Sequence, residues 1–421
     1  MLKVYFKQAI EMLKQNKFIS IISILGTALA IMMIMTLVIT EEVKTICIAP
    51  EINRDRTLYI TYQMKRDTVK GSMRSGDVTH DIINEYISKL KTPEHISVMN
   101  PYGRFELTTV NKEGSNDYMQ FSVRRTDASF WKIFSFDFRE GKAFSEEEFN
   151  SGIRTAVLSE TTAKKLFKDE GAVGKIIQIG FRNYKITGIV KDVSPVFKYA
   201  GGDIWIPYTS GEKYEDSGYC VLLLAKTTKD FAKIIAEVRS LEKKFGIDHS
   251  PWYLYLEGPK NSTLNTTDVR GNNEEEFNKS ISIARRRAVF IFLILLLIPA
   301  LNLSGFSLSG IKKRIAEIGI RKAFGAKKHT ILMQVLCENM ITSLIGGIIG
   351  LIFSYIAVLS LRNWLLEVPS GSAVPGNVLI SFPVFIAVFI ACLLLNLLSA
   401  GLSAYRASRM SIVNSLNQND N

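Results

Sequence analysis

Four long apolar segments constrain the fold of this chain more than any other feature. Residues 18–40 and 288–311 contain no charged side chain, and two further apolar segments cover about 339–361 and 378–405. Each is longer than the ~20 residues that a helix needs to cross ~30 Å of hydrocarbon. A buried helix of a soluble protein rarely stays uncharged over such a length. The sequence therefore predicts four transmembrane helices, one N-terminal and three C-terminal, which we number as spans one to four.

Basic residues cluster beside these predicted spans. They precede span one, follow span four and fill the linker between spans two and three: Lys3, Lys7, Lys14, Lys17, Arg406, Arg409, and in the linker Lys312, Lys313, Arg314, Arg321, Lys322, Lys327 and Lys328. Short cytoplasmic loops carry an excess of Lys and Arg. Both termini and this basic linker are therefore predicted to be cytoplasmic, and residues 45–284 extracytoplasmic. The net charge of +12 then reflects the membrane surface rather than a nucleic-acid partner.

The segment before span one predicts an interfacial helix, and span one itself predicts an uncleaved anchor. Span one is about twice as long as the apolar region of a signal peptide. An apolar face opposite lysines is typical of a helix lying along the lipid surface, and that face is formed by Leu2, Phe6, Ala9, Ile10 and Leu13. The predicted domains are residues 1–44, with this helix and span one, the extracytoplasmic residues 45–284, and residues 285–421, with spans two to four.

The region between spans one and two predicts a large α+β domain. Strand-like segments occur at residues 58–62, 96–99, 219–225 and 252–256, and helix-like periodicity at residues 80–90 and 228–245. They suggest two βαβ units around a central part that consists mostly of strands, near 118–124, 155–159, 175–179 and 184–190, with one helix at 160–167. We expect a two-lobed domain with a central insert. Residues 258–280 are polar and predict a mobile loop.

Catalytic and metal-binding patterns are absent from the sequence. The run GAVGKI from Gly171 lacks the spacing and the hydroxyl of a phosphate-binding loop. No nucleophile motif appears in the outer region, and the acidic runs near Glu146 and Glu274 are typical of solvated faces. The four histidines are scattered, so no metal site is expected. Cys47 and Cys220 both lie outside, where a disulfide is an open alternative.

The spans predict helix packing rather than a substrate pathway. Their interiors lack ionisable residues, which ion and proton pathways usually need. Small residues spaced four apart let helices approach closely, and such pairs occur at Gly26 and Ala30 and at Gly346 and Gly350.

The basic linker and the segments around it resemble the MacB/FtsX-type ABC permeases, which include the lipoprotein-release permeases. EIGIRKAFGA, residues 317–326, closely resembles the hallmark of this family, and HTILMQVLCENMITSLIGGIIG, residues 329–350, resembles the segment that follows it. LKQNKFISIISILGTALA, from residue 13, resembles the family's first span. Residues 130–144 and 157–193 resemble its periplasmic core domain, and AYRASRMSIVNSL, from residue 404, resembles its closing segment, although Ser411 replaces a common proline.

This resemblance implies that a cytoplasmic ABC ATPase docks on the linker between spans two and three. The positions that match the motif, and that carry the predicted ATPase-coupling role, are Glu317, Ile318, Gly319, Arg321, Lys322, Gly325 and Ala326. The alternative is that the motif only shapes the turn before span three. The chain binds no cofactor in this interpretation, because ATP is hydrolysed by the partner subunit and the ATPase is supplied in trans.

The function implied is that of a non-enzymatic permease subunit of an ATP-driven export or mechanotransmission complex in the bacterial inner (plasma) membrane. A second permease copy or a sister permease, and the membrane lipids, are the other expected partners. A periplasmic adaptor and an outer-membrane channel stay open. One alternative is an FtsX-like regulator of a cell-wall hydrolase, and another is a membrane-anchored enzyme or sensor.

Overall fold

The structure is a computed structural model of the chain. It describes residues 10–11, 13–14, 17–43, 47–100, 106–168, 170–194, 197–211, 217–265, 269, 271, 273–313, 328–365, 386–387, 389–391, 393–394, 397–398 and 401. These residues form two compact units. The described residues between 47 and 285 make the outer unit, and those before 43 and after 285 make the membrane unit.

Three long helices account for most of the described residues of the membrane unit, and the second of them begins in the outer unit. Helix α1 covers Lys17–Val43, and two more long helices cover Glu274–Lys313 and Lys328–Leu365. Within the described residues, two segments are long and apolar enough to cross a membrane, Ser20–Ile39 and Asn339–Leu361, with mean hydropathies of 2.5 and 2.4. They coincide with predicted spans one and three. The four-span topology as a whole stays a prediction.

The outer unit is built from fifteen described strands and several short helices. The strands are β1 (Thr57–Ile60), β2 (Gln63–Asp67), β3 (Met73–Gly76), β4 (Val78–Thr79), β5 (His95–Met99), β6 (Glu106–Lys112), β7 (Met119–Thr126), β8 (Phe138–Gly141), β9 (Thr155–Ser159), β10 (Ile176–Ile179), β11 (Arg182–Val190), β12 (Ile204–Pro207), β13 (Gly218–Leu224), β14 (Trp252–Leu256) and β15 (Lys260–Asn261). The helices are α2 (His80–Glu85), α3 (Phe130–Ile133), α4 (Glu146–Asn150), α5 (Glu160–Phe167), α6 (Phe231–Asp248) and α7 (Ser262–Asn265). The long helices Glu274–Lys313 and Lys328–Leu365 are then α8 and α9.

Most strands belong to one hydrogen-bonded path, β12-β9-β11-β10-β6-β7-β5-β13-β1-β15. Strand β13 lies between β5 and β1 on this path and is antiparallel to both. All but the first residue of β13 is buried, because the strand is covered on both faces. One face packs on α2 and α6, in a core that includes Leu58, Ile82, Val221 and Val238.

The central strands close on themselves. Strand β12 pairs in parallel with β7 as well as antiparallel with β9, so β12, β9, β11, β10, β6 and β7 form a ring of six. The residues that alternate inward from these strands make a separate apolar core, which includes Val110, Phe121, Leu158, Ile177 and Ile206. Closure removes free strand edges from this part of the domain.

Several predicted elements are confirmed at or near the predicted bounds. Strands β9 and β14 and helix α5 cover the predicted residues, and β1, β5, β10, β11 and β13 differ from prediction by a few residues at their ends. Ser159 caps α5 by accepting a hydrogen bond from the Thr162 backbone.

Two expectations about the outer region are wrong. Strand β14 does not complete a βαβ unit with β13, since it pairs with β2 in a separate three-stranded sheet. The polar residues 258–280 contain β15, α7 and the start of α8, and several of their side chains are buried. Cys47 and Cys220 are free thiols, so the disulfide alternative is not realised.

Candidate coupling site

The predicted ATPase-coupling residues, Glu317 to Ala326, lie outside the described residues. The structure describes the helices on either side of them. Helix α8 ends its described range at Lys313, and helix α9 begins at Lys328. The basic linker is therefore bounded by two long helices, and no geometry within it is described.

The predicted helix-packing glycines lie where α9 meets α1. A side-chain carbon at Gly346 would come within 2.9 Å of the Ile24 carbonyl and 2.8 Å of the Thr27 side chain. A side-chain carbon at Gly350 would lie 2.6 Å from the Ala28 carbonyl. Such distances require a residue without Cβ, because no real Cβ comes this close to a backbone oxygen.

The partner surface on α1 is formed by residues spaced three and four apart, which share one helical face: Ile24, Thr27, Ala28 and Ile31. Ala28 is 1% exposed and Ile31 is 1% exposed. Gly347, which the prediction did not include, faces the Phe389 ring closely enough that a methyl group would overlap it. Gly346, Gly350 and one further glycine thus make close contacts in this unit, and the packing role of Gly26 and Ala30 stays a prediction.

The chain enters the outer unit after α1 through a buried ion pair, which we call the first joint. Arg54 Nε donates to Glu51 Oε2 at 2.7 Å, and both side chains are almost fully buried. The other carboxylate oxygen of Glu51 accepts the backbone N–H groups of Tyr199 and Ala200, at 3.2 and 3.0 Å. The Arg54 guanidinium lies 5.5 Å from the centre of the Phe197 ring. The pair has the extra hydrogen bonds that a buried ion pair needs.

The chain leaves the outer unit before α8 through a second buried pair, the second joint. Lys260 Nζ donates to Glu257 Oε1, and the two side chains are 6% and 2% exposed. Lys260 also donates to the Val269 carbonyl at 2.7 Å, and Glu257 Oε2 accepts the Gly271 N–H at 3.0 Å. The Lys260 ammonium lies 5.4 Å from the centre of the Phe277 ring, on the first turn of α8.

The first turn of α8 is buried against the loop that precedes it. A side-chain carbon at Gly271 would come within 2.7 Å of Phe277 Cα, so the loop before the helix lies directly against its first turn. Phe277 is 6% exposed and packs with Met64, Tyr255 and Val269. Asn273 caps the helix by accepting the Glu276 N–H at 2.8 Å.

A third ion pair supports the same region from α6. Arg239 donates to Glu242 at 2.6 Å and to the carbonyls of Leu256 and Gly258, and Glu242 accepts the Leu256 N–H at 2.7 Å. Burial raises the pKa of Glu242, and the charge of Arg239 acts in the opposite direction. Arg239 also reaches Glu274, at 3.9 Å, on the first turn of α8.

Sequence reasoning did not identify these joints. Their one signal is that an acidic residue is followed three positions later by a basic one, beside each membrane connection. That spacing is common on solvated surfaces, so it does not by itself distinguish a buried pair.

Two family models match the chain. Residues 20–241 match the MacB-like periplasmic core domain, and residues 289–412 match the FtsX-like permease C-terminal domain.

Curated relatives match at low identity. A macrolide export ATP-binding/permease protein MacB of Mannheimia succiniciproducens is 22% identical over 58% of this chain and 36% of its own length. The MacB of Shewanella sp. (strain W3-18-1) is 23% identical over 83% of this chain and 52% of its own length. An uncharacterized ABC transporter permease, YknZ of Bacillus subtilis, is 24% identical over 56% of each protein. The chain thus spans between about a third and about a half of the length of these relatives.

Solved structures also match the chain. The extracellular domain of the transporter YknZ from Gram-positive bacteria has a TM-score of 0.36 at 14% identity, covering 47% of this chain and 99% of that one. The periplasmic region of MacB from Actinobacillus actinomycetemcomitans has a TM-score of 0.36 at 12% identity, covering 52% and 95%.

Proposed function

The chain belongs to the MacB/FtsX-type ABC permease family, and from this premise we propose that it is the membrane subunit of an ATP-driven export complex. In this proposal a cytoplasmic ATPase binds the basic linker and closes two permease copies together. The spans pass the resulting movement to the outer unit, where cargo is handled. The protein carries out no chemistry of its own and binds no cofactor.

The proposed topology has four spans, with both termini and the linker in the cytoplasm. Residues 1–44, 45–284 and 285–421 are the proposed domains, and the outer domain has two lobes. The length of α8 supports this arrangement. Its 40 residues extend about 60 Å at ~1.5 Å per residue, about twice the hydrocarbon thickness. A single helix can therefore cross the membrane and still provide the turns that pack at the second joint.

The observation that carries the proposal is the physical continuity of α8. Its first turn is held in the outer unit through Phe277 and the second joint, and its described range ends at Lys313, beside the linker that matches the family motif. In this proposal α8 is the element through which movement at the linker reaches the outer unit.

We assign ATPase coupling to the motif residues Glu317 to Ala326 and close packing of spans one and three to Gly346 and Gly350. Glu317 and Arg321, four residues apart, can brace a helix or pair with charges on the ATPase. The contacts of Gly346 and Gly350 with Ile24, Thr27 and Ala28 support the packing assignment.

Export is favoured over regulation of a cell-wall hydrolase, because several relatives are named for macrolide export. A hydrolase regulator would instead activate cell-wall hydrolysis when the purified full chain is added, without any need for cargo.

The test is co-purification of ATPase activity with the tagged full chain from its native membranes. We expect Glu317→Ala and Gly325→Leu each to lower the co-purified activity about tenfold, the effect of losing about 1.4 kcal/mol of binding. Lys312→Ala is the matched control, since it removes a charge from the same linker outside the motif.

Equal activity in all three variants would show that the motif is not the docking site. Absence of any associated ATPase from the unmodified chain would overturn the proposed function itself.

A further inference from the structure

The first and second joints share a common construction. In each, a buried carboxylate is paired with a cation three residues later, as in Glu51 with Arg54 and Glu257 with Lys260. In each, the second carboxylate oxygen accepts backbone N–H groups from another segment, two in the first joint and one in the second, and the cation lies over a phenylalanine ring. The two joints therefore hold the chain at the two points where it connects to the membrane spans.

Tyr199 connects the first joint to the segment that follows the second joint. Its backbone N–H donates to Glu51 in the first joint, at 3.2 Å. Its hydroxyl accepts a hydrogen bond of 2.6 Å from Asn265 Nδ2. Asn265 ends helix α7, which directly follows the strand that contains Lys260. One residue, through its backbone N–H and its hydroxyl, thus joins the turn held by the first joint to the segment that leads from the second joint towards α8.

Strand β1 provides a second connection between the joints. The Tyr59 ring lies 4.6 Å from the Tyr199 ring, centre to centre, and Tyr59 is paired directly opposite Lys260 on β15. Tyr59 is 1% exposed and Tyr199 is 7% exposed, so water does not readily replace these contacts. Tyr59 of β1 therefore makes a second, buried connection between the joints, through the Tyr199 ring and through its pairing with Lys260.

We infer that Tyr199 and Asn265 couple the two joints, so that spans one and two move the outer unit together rather than independently. The inference rests on the proposed function, in which nucleotide binding at the linker displaces the spans. It assigns a positioning role to two side chains that touch neither the linker nor the membrane. Loss of the Tyr199 hydroxyl should leave each joint intact and remove the bond between them.

The test is hydrogen–deuterium exchange of the full chain in its ATPase complex, with and without ATP and vanadate. The amides of Ala200 and Gly271 report on the joints directly, because they donate to Glu51 and Glu257 respectively. In the unmodified complex we expect ATP to change exchange at both amides. In Tyr199→Phe and in Asn265→Ala, we expect the ATP-dependent change in exchange to persist at one of these two amides. At the other amide it should fall by half or more.

Tyr184→Phe is the matched control. Tyr184 is also buried in the outer unit, at 2% exposure, and its hydroxyl also accepts one side-chain hydrogen bond, from Ser210 at 3.3 Å. This variant should keep the ATP-dependent change at both amides. A merely structural role for Tyr199 would lower the melting temperature and leave the two responses equal, as in the control.

The outcomes separate this inference from the proposed function. Equal responses of both amides in Tyr199→Phe, or ATP-dependent changes elsewhere in the chain with none at either joint, would overturn the inference while the ATPase complex stands. A complex that contains no ATPase, or one in which ATP changes exchange nowhere in the chain, would overturn the proposed function and the inference with it.

Discussion

The structure makes a specific prediction for the stability of the variant in which methionine replaces Lys260. Methionine keeps much of the aliphatic length that packs near Phe277 and removes the ammonium group. Among the described residues, the Glu257 carboxylate, 2% exposed, then keeps the Gly271 N–H as its hydrogen-bond donor. The Val269 carbonyl also loses its donor. The variant therefore leaves a buried carboxylate without its counter-charge.

The expected cost follows from the burial of the pair. Removing one partner of a buried ion pair costs about 3–5 kcal/mol, because the remaining charge is left unpaired away from water. The double variant Glu257→Gln with Lys260→Met removes both charges and keeps an acceptor for Gly271. We expect it to recover most of this loss and to remain about 1–2 kcal/mol below the parent, the cost of leaving the Val269 carbonyl without its hydrogen bond.

Lys175→Met is the matched control. Lys175 also pairs with a carboxylate, Glu170, at 2.7 Å and also lies over a phenylalanine ring, that of Phe167, at 5.1 Å. That pair is exposed, at 39% and 71%, so its charges are solvated and screened. The control should leave the free energy of unfolding unchanged within error.

The assay is denaturant unfolding of the full chain in detergent, followed by tryptophan fluorescence. Trp131, Trp205 and Trp252 lie in the outer unit, and Trp364 lies on α9. A Trp364→Phe background restricts the signal to the outer unit. If Lys260→Met lost less than about 1 kcal/mol, or no more than Lys175→Met, the claim that the second joint is a buried, interdependent pair would be refuted.

Three further predictions concern other parts of the molecule. Gly350→Ala should destabilise the membrane unit, because its methyl group would lie 2.6 Å from the Ala28 carbonyl. Gly401→Ala, whose methyl group would have its nearest neighbour at 3.7 Å, should be neutral or stabilising. Thermal unfolding in detergent compares the two variants. Burial raises the pKa of Asp127 to about 7, above its unfolded value near 3.8. Its contribution to the free energy of unfolding should therefore fall as pH rises from 5 to 7. Asp127→Asn should show a flatter dependence of this free energy on pH, and parallel curves for the two proteins would contradict the prediction. Phe181 is 82% exposed and has a φ of +68°, a conformation that costs less for glycine. Phe181→Gly should therefore stabilise the outer unit by about 1 kcal/mol. A loss of stability would contradict this and show that the ring makes stabilising contacts.

The sequence predicts this fold best where local pattern and burial agree. Strand β9 and helix α5 were placed correctly because an apolar run ends at Ser159, a capping residue, before a helical period begins. Strand β14 is predicted equally well in its bounds and wrongly in its partner. Sheet pairing depends on non-local register, which propensity does not encode.

The closure of the central ring illustrates the same limit. Strand β12 is four residues long and was not predicted, yet its pairing with both β7 and β9 closes the six strands. Both neighbours come from far along the chain, so no local signal reveals the closure.

The joints were missed for a different physical reason. Glu51 and Lys260 occur in polar segments, where charged residues are usually solvated. Their burial depends on contacts made far along the chain, such as the 148 positions between Glu51 and Tyr199. The polar segment 258–280 was predicted to be mobile on its composition, and Phe277 and Gly271 show why composition is insufficient there.

The most direct test of the proposed function is to measure on which side of the membrane the basic linker lies. A membrane-impermeant maleimide is applied to spheroplasts that carry Lys327→Cys in the linker, or Ile247→Cys on the outer unit, where Ile247 is 80% exposed, in a Cys47→Ser background. With the linker in the cytoplasm, the cysteine at 247 reacts in intact spheroplasts and the cysteine at 327 reacts only after the membrane is permeabilised. Labelling at position 327 in intact spheroplasts would contradict the proposed function, because no cytoplasmic ATPase could then reach the linker.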